Sequence, residues 1–237
     1  MEGTVGAGYM PKRLSGPSEY AYENGCRPVG KFASVLAVLL PIYALVSVLL
    51  AACIAYSFLD ARMMDPYAIE DATEEDWLLL VIASSVFLLY VAERVLLVIC
   101  AFTVGRFTYR AMRNLYTVRS AVPDMSPAST VYWYFVPFAN FIMPANAMSE
   151  IHHGSIAETG SLNTSSLVSW WWSAWLAFNI LSSVSNLMSD QFMFSLTTSV
   201  IATLSGGAAA LLLARLVRRI RTAQDQFTHG NLADTFT

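Results

Sequence analysis

The sequence predicts an all-α integral membrane bundle of four transmembrane helices, with a re-entrant or interfacial helical element between spans 2 and 3. Three observations predict it. Hydrophobic residues make up 56% of the 237 residues and charged residues only 13%, where water-soluble domains carry about 25% charged. Four apolar stretches reach the roughly 20 residues that a helix needs to cross the hydrocarbon core. The basic residues fall between those stretches in a pattern that orients them.

Taken in order, residues 1–31 are polar and rich in Gly, Pro, Ser and Tyr, and read as a mobile cytoplasmic tail. A cleavable signal would place its apolar run closer to the start. The first span is Phe32–Leu59, with a kink expected at Pro41, which cannot donate a backbone hydrogen bond. The second is Trp77–Val104, the third Leu167–Leu187 and the fourth Phe192–Leu213. The spans and the segments between them form a membrane domain over 32–221, and 222–237 reads as a second cytoplasmic tail.

Orientation follows from Lys and Arg. Twelve of the 14 basic residues lie before span 1, after span 2 or after span 4. The loop after span 1 holds Arg62 against seven acidic residues, Asp60 to Asp76. That loop is therefore expected outside, and both termini inside. The segment between spans 2 and 3 must then start and end inside. Its apolar run Val131–Met143 is too short to cross and is broken at Pro137 and Pro144. Ser126–Gly154 reads as the interfacial element. Ser126 is placed to cap a helix whose first residue is Pro127. Pro144 is placed to open a second short helix that Gly154 ends.

Within the spans, Glu93 and Arg94 stand out, because ionisable groups at membrane depth are costly and often functional. Neighbours in sequence point about 100° apart on a helix, so each is expected to need a partner elsewhere, such as Asn179 or Ser182. The plainer alternative is that Arg94 snorkels to the interface and Glu93 bonds to a neighbouring helix. Arg106, Arg110, Arg113 and Asn114 share one face of the helix continuing past span 2. Such a stripe suits anionic lipid headgroups, or simple orientation by positive charge. Small residues recur every four positions at Ser195, Ser199, Thr203 and Gly207, as at close helix contacts. The four tryptophans Trp170, Trp171, Trp172 and Trp175 read as an interfacial belt.

In the interfacial element, Asn140, Asn146, Glu150, His152 and His153 bring polar groups together. Adjacent histidines diverge, and a zinc site wants three or four convergent ligands, so no metal and no cofactor is expected. Cys26 lies in the tail, while Cys53 and Cys100 lie in spans, which gives no disulfide framework. No nucleophile elbow, phosphate loop or zinc-protease motif appears.

The stretch Arg106–Ser155 carries an Arg-x-x-x-Asn pair (Arg110, Asn114), Ser126-Pro127, an aromatic run ending in Pro137, then Asn140 and Pro144. A Trp-rich span follows. In these features it resembles the bacterial membrane-protein family of the domain of unknown function 4328, over roughly Phe32 to Leu213. The resemblance implies a bacterial cytoplasmic membrane and a shared architecture, with no activity attached. The Glu93-Arg94 pair is a departure from that pattern.

The leading expectation is a non-enzymatic scaffold or accessory subunit that binds membrane lipids or a partner protein at its cytoplasmic face, without nucleic acid. The alternatives are an oligomeric small-solute or ion transporter, resting on Glu93-Arg94, and an interfacial lipid-modifying enzyme with Glu150 or His153 as base.

Overall fold

Helices form wherever the apolar runs are long, because lipid leaves backbone groups no partner outside their own helix. The computed structural model describes residues 19–59, 77–118, 123–156 and 165–233, and among them no strand occurs. The helices are α1 (Gly30–Leu59), α2 (Trp77–Val118), α3 (Ser129–Tyr132), α4 (Met143–Ile156), α5 (Ser165–Leu187) and α6 (Phe192–Ala233). Two 3-10 turns, Trp133–Phe135 and Ala139–Phe141, lie between α3 and α4. α1 runs through Pro41 as one helix.

Among the described residues, three helices are long and apolar enough to cross a membrane: Gly30–Tyr56, Leu80–Val118 and Phe192–Phe227. The expected third span, Leu167–Leu187, does form a helix, within α5, but is not one of these three. The reason is composition, since α5 carries seven Ser, four Trp and two Asn in 23 residues. α2 continues past span 2 through Asn114 to Val118, and α6 runs well past the expected end of span 4, to Ala233.

The chain divides into two units. One comprises Ser34–Val104 and Ser165–Val217. Its polarity is inverted relative to a soluble protein. Phe87, Leu88, Val98 and Phe102 are each at least 65% exposed, while Ser47 and Glu93 are buried. Large apolar side chains outside and polar ones inside are what a lipid solvent selects. The small-residue stripe of α6 turns toward neighbours in this chain. Ser195 and Ser199 meet Ser185 of α5, and a Cβ on Gly207 would touch Ser47 and Ala44 of α1. In the tryptophan belt, Trp170 faces outward while Trp171 and Trp172 are buried.

The other unit comprises the residues before Ser34, Gly105–Thr164 and the chain from Arg218 on. Its core packs Phe107, Met112 and Leu115 of α2, Met148 and Ile151 of α4 and Ile220 of α6, all fully buried or nearly so. Of the expected tail 1–31, residues 19–29 lie against α2 and bury Tyr22 and Val29; residues 1–18 lie outside the described residues. Ser126 accepts the Ser129 N–H on its hydroxyl at 3.2 Å, but α3 starts at Ser129 with Ala128 as its N-cap, two residues later than the expected start at Pro127, where the chain makes a turn before the helix. Pro144 sits in the first turn of α4. Gly154 does not end that helix, which continues to Ile156. It permits close packing instead, since a Cβ there would lie 2.7 Å from Leu115 Cδ1.

Candidate functional sites

The intramembrane pair is held by α1. Tyr43 and Ser47, one turn apart, donate their hydroxyls to Glu93 Oε1 at 3.3 and 3.2 Å. Neighbouring residues were expected to diverge, yet Arg94 Nη2 lies 3.3 Å from Glu93 Oε2. The long guanidinium arm bends back over the Tyr90 and Phe178 rings, 4.9 and 5.5 Å from their centroids. Asn179 plays no part in this cluster. Its amide donates to Trp175 O in its own helix, and Ser183 donates to Asn179 O. The arrangement cancels a buried charge locally and supplies hydroxyl donors to Oε1, while Oε2 has only the ion pair and Arg94 Nε has no hydrogen-bond partner.

The basic face of α2 is occupied by the chain itself. Arg110 Nη1 donates to Pro28 O at 3.1 Å, and Arg113 Nε to Tyr20 O at 2.9 Å. Asn114 reads one residue twice, accepting Arg27 N–H at 3.0 Å and donating to Arg27 O at 2.8 Å. Thr117 accepts the Tyr22 N–H at 2.9 Å. The Tyr22 ring lies under two guanidiniums, those of Arg27 and Arg113, at 4.5 and 4.3 Å. Arg106 is exposed on the same helix.

Beneath this face runs a neutral polar chain. Asn114 Nδ2 also donates to Gln224 Oε1 at 3.0 Å. Gln224 Nε2 donates to Ala111 O and to Ser155 Oγ. The Ser155 hydroxyl donates to Ile151 O. Gln224 is the residue that sequence reasoning missed. It lies in the expected tail, and its only signal was a polar side chain on the apolar face shared with Ile220 and Phe227.

The polar residues of the interfacial element are placed apart in character. Asn140 and Asn146 are exposed. Glu150 accepts the Met125 N–H at 3.2 Å and so ties the preceding loop to α4. Burial raises its carboxyl above the ordinary value, partly offset by that hydrogen bond. His152 is fully buried, and neither ring nitrogen has a hydrogen-bond partner. Burial lowers its imidazole to about 4, and His153 and Arg219 push the same way. His153, half-buried, meets the His152 ring edge-on. Among the described residues, no group of three His, Cys, Asp or Glu side chains is gathered as a metal would need.

Around Pro137 the chain exposes its largest apolar groups. Tyr132, Phe135, Phe138, Phe141 and Ile142 are 60, 79, 84, 49 and 62% exposed. Phe138 adopts φ 63°, the positive-φ region that a bulky residue rarely enters. The turn is closed by Ala139 N–H to Pro137 O, Asn140 N–H to Val136 O and Phe141 N–H to Phe138 O.

No curated protein and no solved structure matches the chain. A family model does, over residues 70–222, from the loop before α2 to just past Arg221. It covers the Arg110/Asn114, Ser126-Pro127, Pro137, Asn140 and Pro144 features, and it excludes α1 and the segment that Arg110, Arg113 and Asn114 hold. On that match, which spans well over half of its length, the chain belongs to the family of the domain of unknown function (DUF4328).

Proposed function

We propose that this protein is a non-enzymatic, four-span scaffold or accessory subunit of a bacterial cytoplasmic membrane, with both termini cytoplasmic, whose interfacial element inserts into lipid. The observation that carries the reading is the exposed apolar row from Tyr132 to Ile142. No charged residue lies between Asp124 and Glu150. Each side chain of this size gains ~1.5–3 kcal/mol on leaving water, so such a row is costly in water and favourable at a bilayer surface. The positive φ at Phe138 costs about 1–2 kcal/mol. It also carries the 84% exposed ring outward, where lipid burial offsets that cost.

The four-span count is supported by the α5–α6 hairpin. Only Met188–Gln191 separate the two helices. Ser185 Oγ donates to Ser195 O, and Ser195 Oγ donates to Ser185 O. A partner this close, antiparallel and hydrogen-bonded, follows α6 into the membrane despite its own polarity. With four spans, the positive-inside pattern is obeyed at every loop.

Spin labels at Phe138→Cys and Ile180→Cys in lipid nanodiscs test both parts, Ile180 being an exposed residue of α5. Both labels should be relaxed strongly by oxygen and weakly by a water-soluble nickel complex, and a reporter fused at Ser155 should read cytoplasmic. A water-exposed Phe138 label defeats the insertion reading. A water-exposed Ile180 label, or an external Ser155 reporter, defeats the topology.

A further inference from the structure

The guanidiniums of Arg110 and Arg113 follow directly on the apolar run that ends at Val104. At 1.5 Å per residue they stand about 9 and 14 Å beyond it along the same helix. In the four-span reading proposed above, this stretch of α2 lies on the cytoplasmic side, where lipid phosphates are found. Yet both spend a hydrogen bond on a neutral backbone carbonyl, of Pro28 and Tyr20. A guanidinium–phosphate contact is charge-assisted, can be bidentate and is roughly twice as strong as a bond to a neutral group. The other ties of the segment are neutral amide, hydroxyl and thiol bonds to Asn114 and Thr117, with the Tyr22 ring under Arg113 and the Tyr20 ring beside Tyr116. Neither Arg is buried, so a phosphate can reach both.

We propose that Arg110 and Arg113 form a phosphate-responsive latch. A phosphate group with no cation of its own, on an anionic lipid or free, draws both guanidiniums from the carbonyls of Tyr20 and Pro28. Residues 20–28 then loosen from α2 and uncover Tyr22. The inference rests on the lipid-facing reading above and names how that face is regulated. It also gives the family-matched helix a ligand segment that lies outside the matched residues, since 20–28 precede residue 70. Four α2 side chains contact this segment chiefly at its backbone, so the receptor holds its position while the strap's side chains face outward or stack.

The native Cys26 is the reporter. It lies within the strap, half-buried, with its thiol 3.8 Å from Asn114 O, while Cys53 and Cys100 lie in the apolar part of α1 and α2. The full-length protein is placed in nanodiscs of phosphatidylcholine or of phosphatidylglycerol. Labelling of Cys26 by a membrane-impermeant maleimide is followed by peptide mass spectrometry. A third arm adds inorganic phosphate to the phosphatidylcholine discs, against chloride at matched ionic strength. Labelling should quicken about tenfold with phosphatidylglycerol or with inorganic phosphate, relative to phosphatidylcholine, whose choline cation already balances its phosphate; tenfold is the scale of one charge-assisted hydrogen bond. Acceleration by phosphatidylglycerol assigns the latch to lipid headgroups; acceleration by inorganic phosphate alone assigns it to a free anion. Arg110→Gln/Arg113→Gln should label fast in every arm and respond to none. Equal wild-type rates in all arms overturn the latch, as does a double variant with the full wild-type response. A Phe138 label immersed in lipid beside an unresponsive Cys26 would sink the latch alone and leave the insertion reading standing.

Discussion

The two units bury polar groups by different means. Among the long apolar helices, the buried group is a charge, Glu93, matched by the adjacent Arg94 and two hydroxyls. In the other unit, the neutral amides and hydroxyl of Asn114, Gln224 and Ser155 are linked in one hydrogen-bonded chain, while His152 is buried with neither ring nitrogen partnered. A charge in a low-dielectric setting is tolerable only with its counter-charge at hand. A neutral amide needs only complete hydrogen bonding. The first arrangement concentrates its energy in one pair. The second spreads it over several elements, which suits a unit assembled from three separated parts of the chain.

The largest effect expected from that contrast is at the charged pair. Arg94→Leu strands the buried Glu93 carboxylate and should cost about 3–5 kcal/mol. Adding Glu93→Leu should recover most of it, because the stranded charge goes too. Unfolding of both variants in a mild detergent series measures the difference. If single and double variants are equally destabilised, the two hydroxyls and not the ion pair hold Glu93.

A smaller effect separates the units by pH. His152 has neither nitrogen partnered, and its imidazole titrates near 4 in the fold against 6.5 when free. Between those values the unfolded chain binds a proton that the folded one refuses, so stability falls as pH drops from 6.5 to 4. The loss is on the order of 3 kcal/mol, and it should appear as faster amide exchange in α4. His152→Phe should flatten this slope. Glu150 acts in the opposite sense, since its raised carboxyl favours the protonated fold at low pH, so the His152→Phe difference isolates the histidine. The charged groups that press on His152 are His153 and Arg219; an unchanged slope in the variant would rule out His152 as its source.

The smallest effect concerns packing. A Cβ on Gly206 would lie 3.0 Å from Phe178 and 3.3 Å from the Tyr43 hydroxyl that serves Glu93. Gly206→Ala should therefore destabilise by ~1 kcal/mol. A Cβ on Gly105 meets only Val131 Cγ1 at 3.6 Å. Gly105→Ala should stabilise by up to about 1 kcal/mol through helix propensity. Thermal midpoints of the two variants moving in the same direction would contradict this reading of the two sites.

Helix existence was legible because long apolar runs have few structural solutions in lipid. The Ser126 hydrogen bond to the Ser129 N–H was legible because such side-chain-to-backbone bonds are local, while the helix start itself falls two residues later than expected. The partners of Glu93 were not. Tyr43 and Ser47 lie some 50 residues away, and their one clue was an i, i+4 polar pair inside an apolar helix. The basic face at Arg110, Arg113 and Asn114 was legible as a face, but its occupant was not. Those side chains hydrogen-bond mainly to backbone atoms, which carry no side-chain code. Gly154 was read as a helix stop because glycine commonly plays that part; its contact with Leu115 is set by tertiary packing that no local pattern encodes.

The turn between α5 and α6 bears on how the chain is made. In the four-span reading, α5 emerges from the ribosome before α6 and is too rich in Ser, Trp and Asn to partition into lipid unaided. Its Ser185 finds Ser195 and Ser199 only once two further turns of α6 exist. The two helices would therefore leave the insertion channel as one hairpin, the later helix carrying the earlier one in. Lengthening that four-residue turn would delay the meeting and strand α5 at the membrane surface, so the spacing there governs biogenesis as much as the finished fold.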